Sequence, residues 1–93
     1  MMKVTVILCT YNRCQSLART LESLAVSALS EADTSEVLVV DNNSSDQTRE
    51  VVEDFCRHHP GRLRYIFEPH PGKSFALNTG VREAHGDVVA FHR

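Results

Sequence analysis

Four short apolar runs are spaced along the chain, at residues 4–9, 37–40, 63–67 and 87–91. In the third run Leu63, Tyr65 and Phe67 alternate with their neighbours, whereas the other three runs are almost continuously apolar and rich in β-branched residues. Continuous apolar runs of this length are typical of strands buried on both faces of a parallel sheet. The pattern therefore predicts four strands.

The first helix is predicted between the first two strands, over about residues 14–28. Its apolar residues recur at intervals of three and four, which places them on one helix face. They are Leu17, Leu21, Leu24 and Ala28. The polar segment at residues 30–36 predicts a loop before the second strand.

Two further helices are predicted after the second and third strands. Ser44 and Gln47 match a capping box, so the second helix is expected to begin there and to stop at residues 58–61. Its apolar stripe consists of Val51, Val52, Phe55 and Cys56. The third helix is expected to end with Gly86 as its C-cap residue. Its apolar residues are Ala76, Leu77, Val81 and Ala84.

Strands and helices thus alternate in the order β-α-β-α-β-α-β. This order predicts right-handed crossovers and an α/β fold, with three α/β/α layers around a Rossmann-like parallel sheet. We expect a doubly wound strand order of 3-2-1-4, with the first strand beside the switch point. A chain of 93 residues suffices for one small domain, so residues 1–93 are interpreted as a single unit.

Composition limits the kinds of ligand that the chain can bind and the cellular compartments that suit it. The net charge of −2 excludes a strongly basic nucleic-acid surface but allows the binding of one nucleotide. Cys9, Cys14 and Cys56 are odd in number and form no Cys-x-x-Cys pair, which favours reduced thiols and a cytoplasmic location. No apolar run approaches the roughly 18 residues of a membrane span.

Several common sites are disfavoured by their motifs. The Gly-x-Gly-x-x-Gly motif of dinucleotide-binding folds does not follow the first strand, which argues against nicotinamide and flavin cofactors. Gly72, Lys73 and Ser74 resemble the end of a phosphate loop, but the first glycine of that motif is absent. The five histidines show no metal-ligand spacing on a helix face.

The polar segments after the strands are the candidate ligand contacts, because an open parallel sheet binds ligands beyond the carboxyl ends of its strands. Tyr11 can stack on a base or cover the top of the first helix. Arg13 and Lys73 are the cations nearest the expected cleft, which makes them candidate phosphate contacts. Lys73 also lies at a predicted helix start, where backbone N–H groups favour anions.

Asp41 allows two interpretations. It follows a buried strand, where a carboxylate needs a partner because its desolvation is costly. That partner can be the imide N–H of a base or the hydroxyl groups of a ribose. It can equally be the backbone of the next turn, since Asp and Asn commonly cap turns. Residues 42–44 are in the same way turn and cap residues first.

Three segments resemble sequence blocks of the family 2 glycosyltransferases of GT-A fold. The first is VTVILCTYNR at residues 4–13, and the second is EVLVVDNNSSD at residues 36–46. The third is GKSFALNTG at residues 72–80, followed by GDVVAF at residues 86–91. The resemblance extends over nearly the whole chain and implies a partial GT-A fold.

The resemblance implies a binding site for a nucleotide-diphosphate sugar. Thr10 and Tyr11 would line the base and ribose pocket, and Asp41 would bind the base, commonly uracil. Lys73 would approach the diphosphate, and Asn78 would orient the loop or help to close the site. The full set of implied binding residues is Thr10, Tyr11, Asn12, Arg13, Asp41, Asn43, Lys73 and Asn78.

The family transfers a sugar from such a donor, here expected to be a UDP-sugar, to an acceptor with inversion at the anomeric carbon. Its members hold Mg²⁺ or Mn²⁺ with an Asp-x-Asp segment after the fourth strand. His92 and Arg93 stand at that position, so no metal ligand and no catalytic residue is assigned within residues 1–93. We expect a truncated glycosyltransferase domain that is inactive alone. The alternative is a non-catalytic module that binds nucleotide or self-associates through an exposed sheet edge.

Overall fold

Seven elements alternate in the computed structural model, which describes residues 3–27, 36–86 and 88–92. The predicted order of strands and helices is confirmed. The strands are β1 (Val4–Thr10), β2 (Glu36–Asp41), β3 (Leu63–Phe67) and β4 (Val88–His92). The helices are α1 (Cys14–Ser27), α2 (Thr48–His58) and α3 (Lys73–Glu83). The predictions for positions 28, 30–35 and 87 lie outside the described residues.

The four strands form one parallel sheet in the predicted order β3-β2-β1-β4. Its register aligns Thr10 with Asp41, and Asp41 with Phe67. The carboxyl ends of β1, β2 and β3 therefore lie side by side. Pairing between β1 and β4 runs from Val4 with Val88 to Leu8 with His92. Because α1 and α2 pack on one face of the sheet and α3 on the other, the switch point lies at β1, where a crevice is expected.

Apolar side chains on the two faces of the sheet build two hydrophobic clusters. One lies on the side of α1 and α2 and contains Leu8, Leu17, Leu21, Val37, Val39, Val52 and Leu63. The other lies on the side of α3 and contains Ile7, Leu38, Val40 and Ala76. Every residue of β2 is buried, as expected for a strand between two helical layers. The predicted α/β/α layering is confirmed.

Gly80 brings α3 close to the sheet. A Cβ atom at this position would lie 2.7 Å from Ile7 Cγ2 and 3.4 Å from Val40 Cγ2. Glycine in a helix interior costs about 1 kcal/mol relative to alanine. The close packing on β1 and β2 explains why this helix nevertheless carries one.

The predicted capping box at the start of α2 is wrong. The helix begins at Thr48, and Gln47 makes no side-chain capping hydrogen bond. Asp46 satisfies the helix start, because its Oδ1 accepts hydrogen bonds from the Thr48 N–H at 3.0 Å and from the Thr48 hydroxyl. The Ser44 hydroxyl oxygen instead accepts a hydrogen bond from the Asn12 N–H at 2.8 Å. A contact between two turns has replaced the local motif.

Glu36, predicted to lie in a loop, is the first residue of β2 and is 2% exposed. Three donors compensate its burial, namely Thr5 Oγ1 at 2.7 Å, the His85 N–H at 2.9 Å and Arg64 Nε at 3.1 Å. Burial pushes the pKa of Glu36 upwards, but these hydrogen bonds outweigh it and lower the pKa overall. The sequence indicated a loop because the residues before Glu36 are polar, and its hydrogen-bond partners are too distant in sequence to be recognised from the pattern.

The predicted C-cap at Gly86 is also wrong. The third helix ends at Glu83, with Ala84 as its C-cap residue. A Cβ atom at Gly86 would lie 2.7 Å from the Thr5 backbone nitrogen, so glycine is needed here for close packing. The Gly86 N–H donates to Thr5 Oγ1 at 2.8 Å, which holds the connection into β4 against β1.

The thiols of Cys9, Cys14 and Cys56 are free. Cys56 packs against the cluster beneath α1 and α2, and Cys9 packs against the cluster beneath α3. None of the helices in the described ranges is long and apolar enough to cross a membrane.

Candidate functional site

An open cleft of about 310 Å³ lies at the carboxyl edge of the sheet, between the end of β1 and the start of α3. Its lining consists of Cys9, Thr10, Tyr11, Arg13, Asn42, Lys73 and Ala76. Four predicted binding residues therefore share one cleft: Thr10, Tyr11, Arg13 and Lys73. The position agrees with the general rule for open parallel sheets.

The turn after β1 forms one wall of the cleft. Thr10 is buried, and its carbonyl accepts a hydrogen bond from the Asn42 N–H at 2.8 Å. Tyr11 is 58% exposed, so a planar ligand can stack on its ring. Arg13 is exposed just before α1. The turn thus presents an aromatic face and a guanidinium group to the same cleft.

Asn12 holds this turn against the turn between β2 and α2. Its φ of 47° lies in the left-handed region, which Asn adopts more readily than most residues. Asn12 Oδ1 accepts a hydrogen bond from the Ser45 N–H at 2.7 Å. Asn43, in the second turn, has a φ of 63°. Asn12 and Asn43 shape the two turns and do not belong to the cleft lining.

Asp41, the last residue of β2, pairs with Thr10 of the cleft lining and is 1% exposed. Its Oδ1 accepts a hydrogen bond from the Ser44 N–H at 3.0 Å, and its Oδ2 accepts one from the Tyr65 hydroxyl at 2.6 Å. Burial raises the pKa of Tyr65, and the hydrogen bond to Asp41 raises it further. These contacts are those of a turn-capping carboxylate, and the binding of a base by Asp41 stays a prediction.

Lys73 gives the cleft a positive end. It is the first residue of α3, and its side chain is exposed. Burial raises the pKa of the Cys9 thiol, and the positive charge of Lys73 opposes that rise. The Lys73 ammonium group is therefore close enough to affect the Cys9 thiol electrostatically, and Cys9 lines the same cleft. The free N–H groups of the first helical turn add to the preference for an anion.

Asn42 is a cleft residue that sequence reasoning did not assign to the site. Its Nδ2 donates to the His70 carbonyl at 2.8 Å, and its Oδ1 accepts a hydrogen bond from the Gly72 N–H at 3.0 Å. Its position directly after a buried strand is the signal in the sequence. The pattern could not show that its amide bridges to the loop between β3 and α3.

A buried carboxylate organises that loop. Glu68 accepts hydrogen bonds from the Thr79 hydroxyl, the His70 N–H at 2.9 Å and the His70 ring Nδ1 at 2.7 Å. These bonds, that from Thr79 first, lower the pKa of Glu68 to about 2. The His70 ring also stacks on Phe75, with 5.3 Å between ring centroids. The loop is thus tied both to α3 and to the turn after β2.

Asn78 is the remaining binding residue implied by the resemblance, which assigns no metal ligand to this chain. Asn78 is exposed on α3 and is not part of the cleft lining. Among residues 3–27, 36–86 and 88–92, no group of three or more His, Cys, Asp or Glu side chains converges in a way that could hold a metal ion. Oxygen ligands for Mg²⁺ or Mn²⁺ do not converge within these residues.

Comparison with known proteins identifies the family. The model of glycosyl transferase family 2 matches residues 5–92. A glycosyltransferase of Nostoc sp. is 33% identical over 90 residues, which cover 97% of this chain and 27% of the relative. The chain thus spans about a quarter of the length of this curated relative.

Two solved structures show the same architecture. A mannosyltransferase from Pyrobaculum calidifontis, in complex with GDP-Man and Mn²⁺, is 35% identical with a TM-score of 0.80. The match covers 92% of this chain and 25% of that protein. Glucosyl-3-phosphoglycerate synthase from Mycobacterium tuberculosis, solved with Mn²⁺ and UDP, is 22% identical with a TM-score of 0.74. That match covers 98% of this chain and 33% of that protein, and it shows the fold alone.

The family match covers most of the chain, and the strand order and the cleft at the end of β1 agree with it. The chain belongs to glycosyl transferase family 2 and forms part of a GT-A fold.

Proposed function

We propose that this chain binds the nucleotide-diphosphate part of a sugar donor in the cleft between β1 and α3. One observation carries the proposal: Lys73, although distant in sequence from Tyr11 and Arg13, lines the same cleft as they do at the carboxyl edge of the sheet. An aromatic face suits a base, and two cations beside a helix start suit a diphosphate.

The residues divide into ligand contacts and supports in this proposal. Thr10 and Tyr11 receive the base and ribose, while Arg13 and Lys73 receive the diphosphate. Asn12, Asp41 and Asn43 hold the two turns in shape, as their hydrogen bonds and backbone angles support. Asn78 closes the site from α3 when the ligand is bound.

The proposed donor is a UDP-sugar, from which the longer family members transfer the sugar to an acceptor with inversion at the anomeric carbon and release of UDP. A GDP-sugar is the second candidate, because the mannosyltransferase that is 35% identical was solved with GDP-Man. A divalent cation would neutralise the departing diphosphate in those longer proteins. We expect no sugar transfer by the 93 residues alone, since the matched proteins are about three to four times as long. The free thiols fit a reducing compartment such as the cytoplasm.

Titration calorimetry of the 93-residue chain with UDP, GDP and TDP tests the binding proposal. We expect Lys73→Gln to weaken binding of the preferred nucleotide about tenfold or more, because hydrogen bonds to charged groups contribute about 1.5–3 kcal/mol. Arg57→Gln removes a cation from the exposed side of α2 and is the matched control. Absence of binding by all three nucleotides, or an equal loss in both variants, would contradict the proposal.

We also infer that the chain self-associates through β4. Within the described residues β4 pairs only with β1, so its other edge carries no strand partner. Phe91 on this strand is 56% exposed. An exposed edge with an apolar side chain favours pairing with a second copy.

A further inference from the structure

We propose that Asn42 is a positioning residue, which holds Lys73 in the cleft by clamping the loop between β3 and α3. The inference rests on the proposed function, in which Lys73 contacts the diphosphate. It differs from that proposal because Asn42 acts on the ligand through another residue.

The clamp consists of two hydrogen bonds from one side-chain amide. Asn42 Nδ2 donates to the His70 carbonyl at 2.8 Å, and Asn42 Oδ1 accepts from the Gly72 N–H at 3.0 Å. The residue between these two contacts is Pro71, which has no N–H and a fixed φ. A single amide therefore fixes both ends of a stiff three-residue segment.

The clamped segment leads directly into Lys73. Gly72 is the N-cap residue of α3 and has a φ of 127°, a conformation that side chains with a Cβ rarely adopt. The bond from its N–H to Asn42 holds this unusual backbone in place. Lys73 follows as the first helical residue, so the direction in which its side chain leaves the backbone depends on the clamp.

The rest of α3 is held by other contacts, which separates the clamp from the stability of the helix. Ala76 is fully buried against the sheet, and the Thr79 hydroxyl donates to Glu68. Gly80 packs tightly on Ile7. Loss of the Asn42 amide therefore releases residues 71–73, while His70 stays bound to Glu68 and the body of the helix stays docked.

Only an amide satisfies both contacts. A carboxylate in place of the Asn42 side chain would face the His70 carbonyl without a proton to donate, and an aliphatic side chain would make neither bond. Asn42→Leu keeps a similar side-chain shape and removes both hydrogen bonds. Gln47→Leu is the matched control, because Gln47 is an exposed amide without a capping bond.

The first test uses the pKa of the Cys9 thiol to report on the position of Lys73, in the absence of nucleotide. The Cys9 thiol lines the cleft, and the charge of Lys73 lowers its pKa. In a Cys14→Ser/Cys56→Ser background, the pH dependence of thiol alkylation measures the pKa of Cys9 alone. We expect Asn42→Leu and Lys73→Gln each to raise this pKa, and the double variant to show no further rise.

An unchanged pKa of Cys9 in Asn42→Leu, or additive rises in the double variant, would overturn the inference. Gln47→Leu is expected to leave the pKa of Cys9 as it was. If Asn42→Leu does not fold, Asn42→Ala, which also removes both hydrogen bonds, replaces it in the same cycle and the same two outcomes decide.

The second test compares UDP with uridine by NMR titration. We expect Asn42→Leu to weaken UDP binding about tenfold, as loss of a charge-assisted phosphate contact would, and to leave uridine affinity nearly unchanged. Equal losses for both ligands would overturn the inference. If the unsubstituted chain binds no UDP, the proposed function fails, while the Cys9 measurement still decides whether Asn42 positions Lys73.

Discussion

Asp41 illustrates how a buried charge is accommodated at the residue scale. It is 1% exposed, and a carboxylate removed from water is costly unless hydrogen bonds replace the lost hydration. The Ser44 N–H and the Tyr65 hydroxyl supply those bonds. The Arg49 guanidinium carbon lies 5.8 Å from the centroid of the Tyr65 ring, within range of a cation–π contact. Tyr65 is therefore central to the support of the turn after β2.

Tyr65→Phe is expected to lower the free energy of unfolding by about 1–3 kcal/mol, because the buried Asp41 carboxylate loses one of its two donors. Urea unfolding at neutral pH, followed by circular dichroism, measures the change. Tyr11→Phe is the matched control, since the Tyr11 ring is 58% exposed and its substitution should leave stability nearly unchanged. Equal stabilities of the two variants would show that the Asp41–Tyr65 bond contributes little.

Residue-scale predictions from sequence succeed where they depend on topology. Thr10, Tyr11, Arg13 and Lys73 come together because β1 and the start of α3 meet at the carboxyl edge of a parallel sheet. The role of Asn42 could not be predicted, since it depends on contacts to His70 and Gly72, which lie 28 and 30 positions further along the chain. The assignment of Thr10, Tyr11, Arg13 and Lys73 as nucleotide contacts stays a prediction.

At the scale of elements, helix starts were less predictable than strands. A strand interior is specified by its own apolar run, whereas a helix start depends on which polar group is nearest in space. Ser44 and Gln47 have the sequence of a capping box, but Ser44 contacts Asn12 and Asp46 contacts the first residue of α2. A second bond joins Asp46 Oδ2 to the Cys14 N–H at 3.2 Å, so one carboxylate serves the starts of α1 and α2.

The exposed edge of β4 carries a prediction at the same scale. We expect the average molar mass to rise with protein concentration in size-exclusion chromatography with light scattering. Phe91→Lys is expected to shift the population towards monomer, because charge on an edge strand opposes pairing. Val81→Lys, at an exposed apolar position on α3, is the control and should not change the distribution. A monomer at every concentration would refute self-association.

At the scale of the molecule, the buried carboxylates of Glu36 and Glu68 tie several of the described elements together. Glu36 joins the amino ends of β1 and β3 to the connection before β4. Glu68 joins the loop after β3 to α3 at the opposite edge of the sheet. Both carboxyl groups have lowered pKa values, that of Glu68 to about 2. Folding therefore favours the ionised form of each group.

Acid is accordingly expected to destabilise the protein. Glu68 has an ordinary pKa of 4.5 and a folded pKa of about 2, so the unfolded chain binds more protons between these values. The stabilisation is fully present above pH 4.5 and is lost as the pH falls towards 2. Glu36 contributes in the same direction, since its pKa is also lowered.

Urea unfolding at a series of pH values measures this loss. Thr79→Val removes a hydroxyl donor to Glu68 and should make the loss of stability between pH 5 and 2 shallower, without abolishing the part due to Glu36. An acid dependence identical to that of the unsubstituted protein would contradict the assignment.

The sequence by itself determined the alternation of strands and helices, the parallel sheet and the location of the cleft. These features depend on apolar periodicity and on the handedness of connections, both of which are properties of the chain. The tertiary structure decided which polar groups meet. It placed Glu36 in a strand and brought Asp41 within hydrogen-bond distance of Ser44 and Tyr65. It also brought the Asn42 amide within hydrogen-bond distance of the loop before Lys73. A hydrogen bond requires both partners within about 3 Å, and only the folded chain brings such distant residues that close.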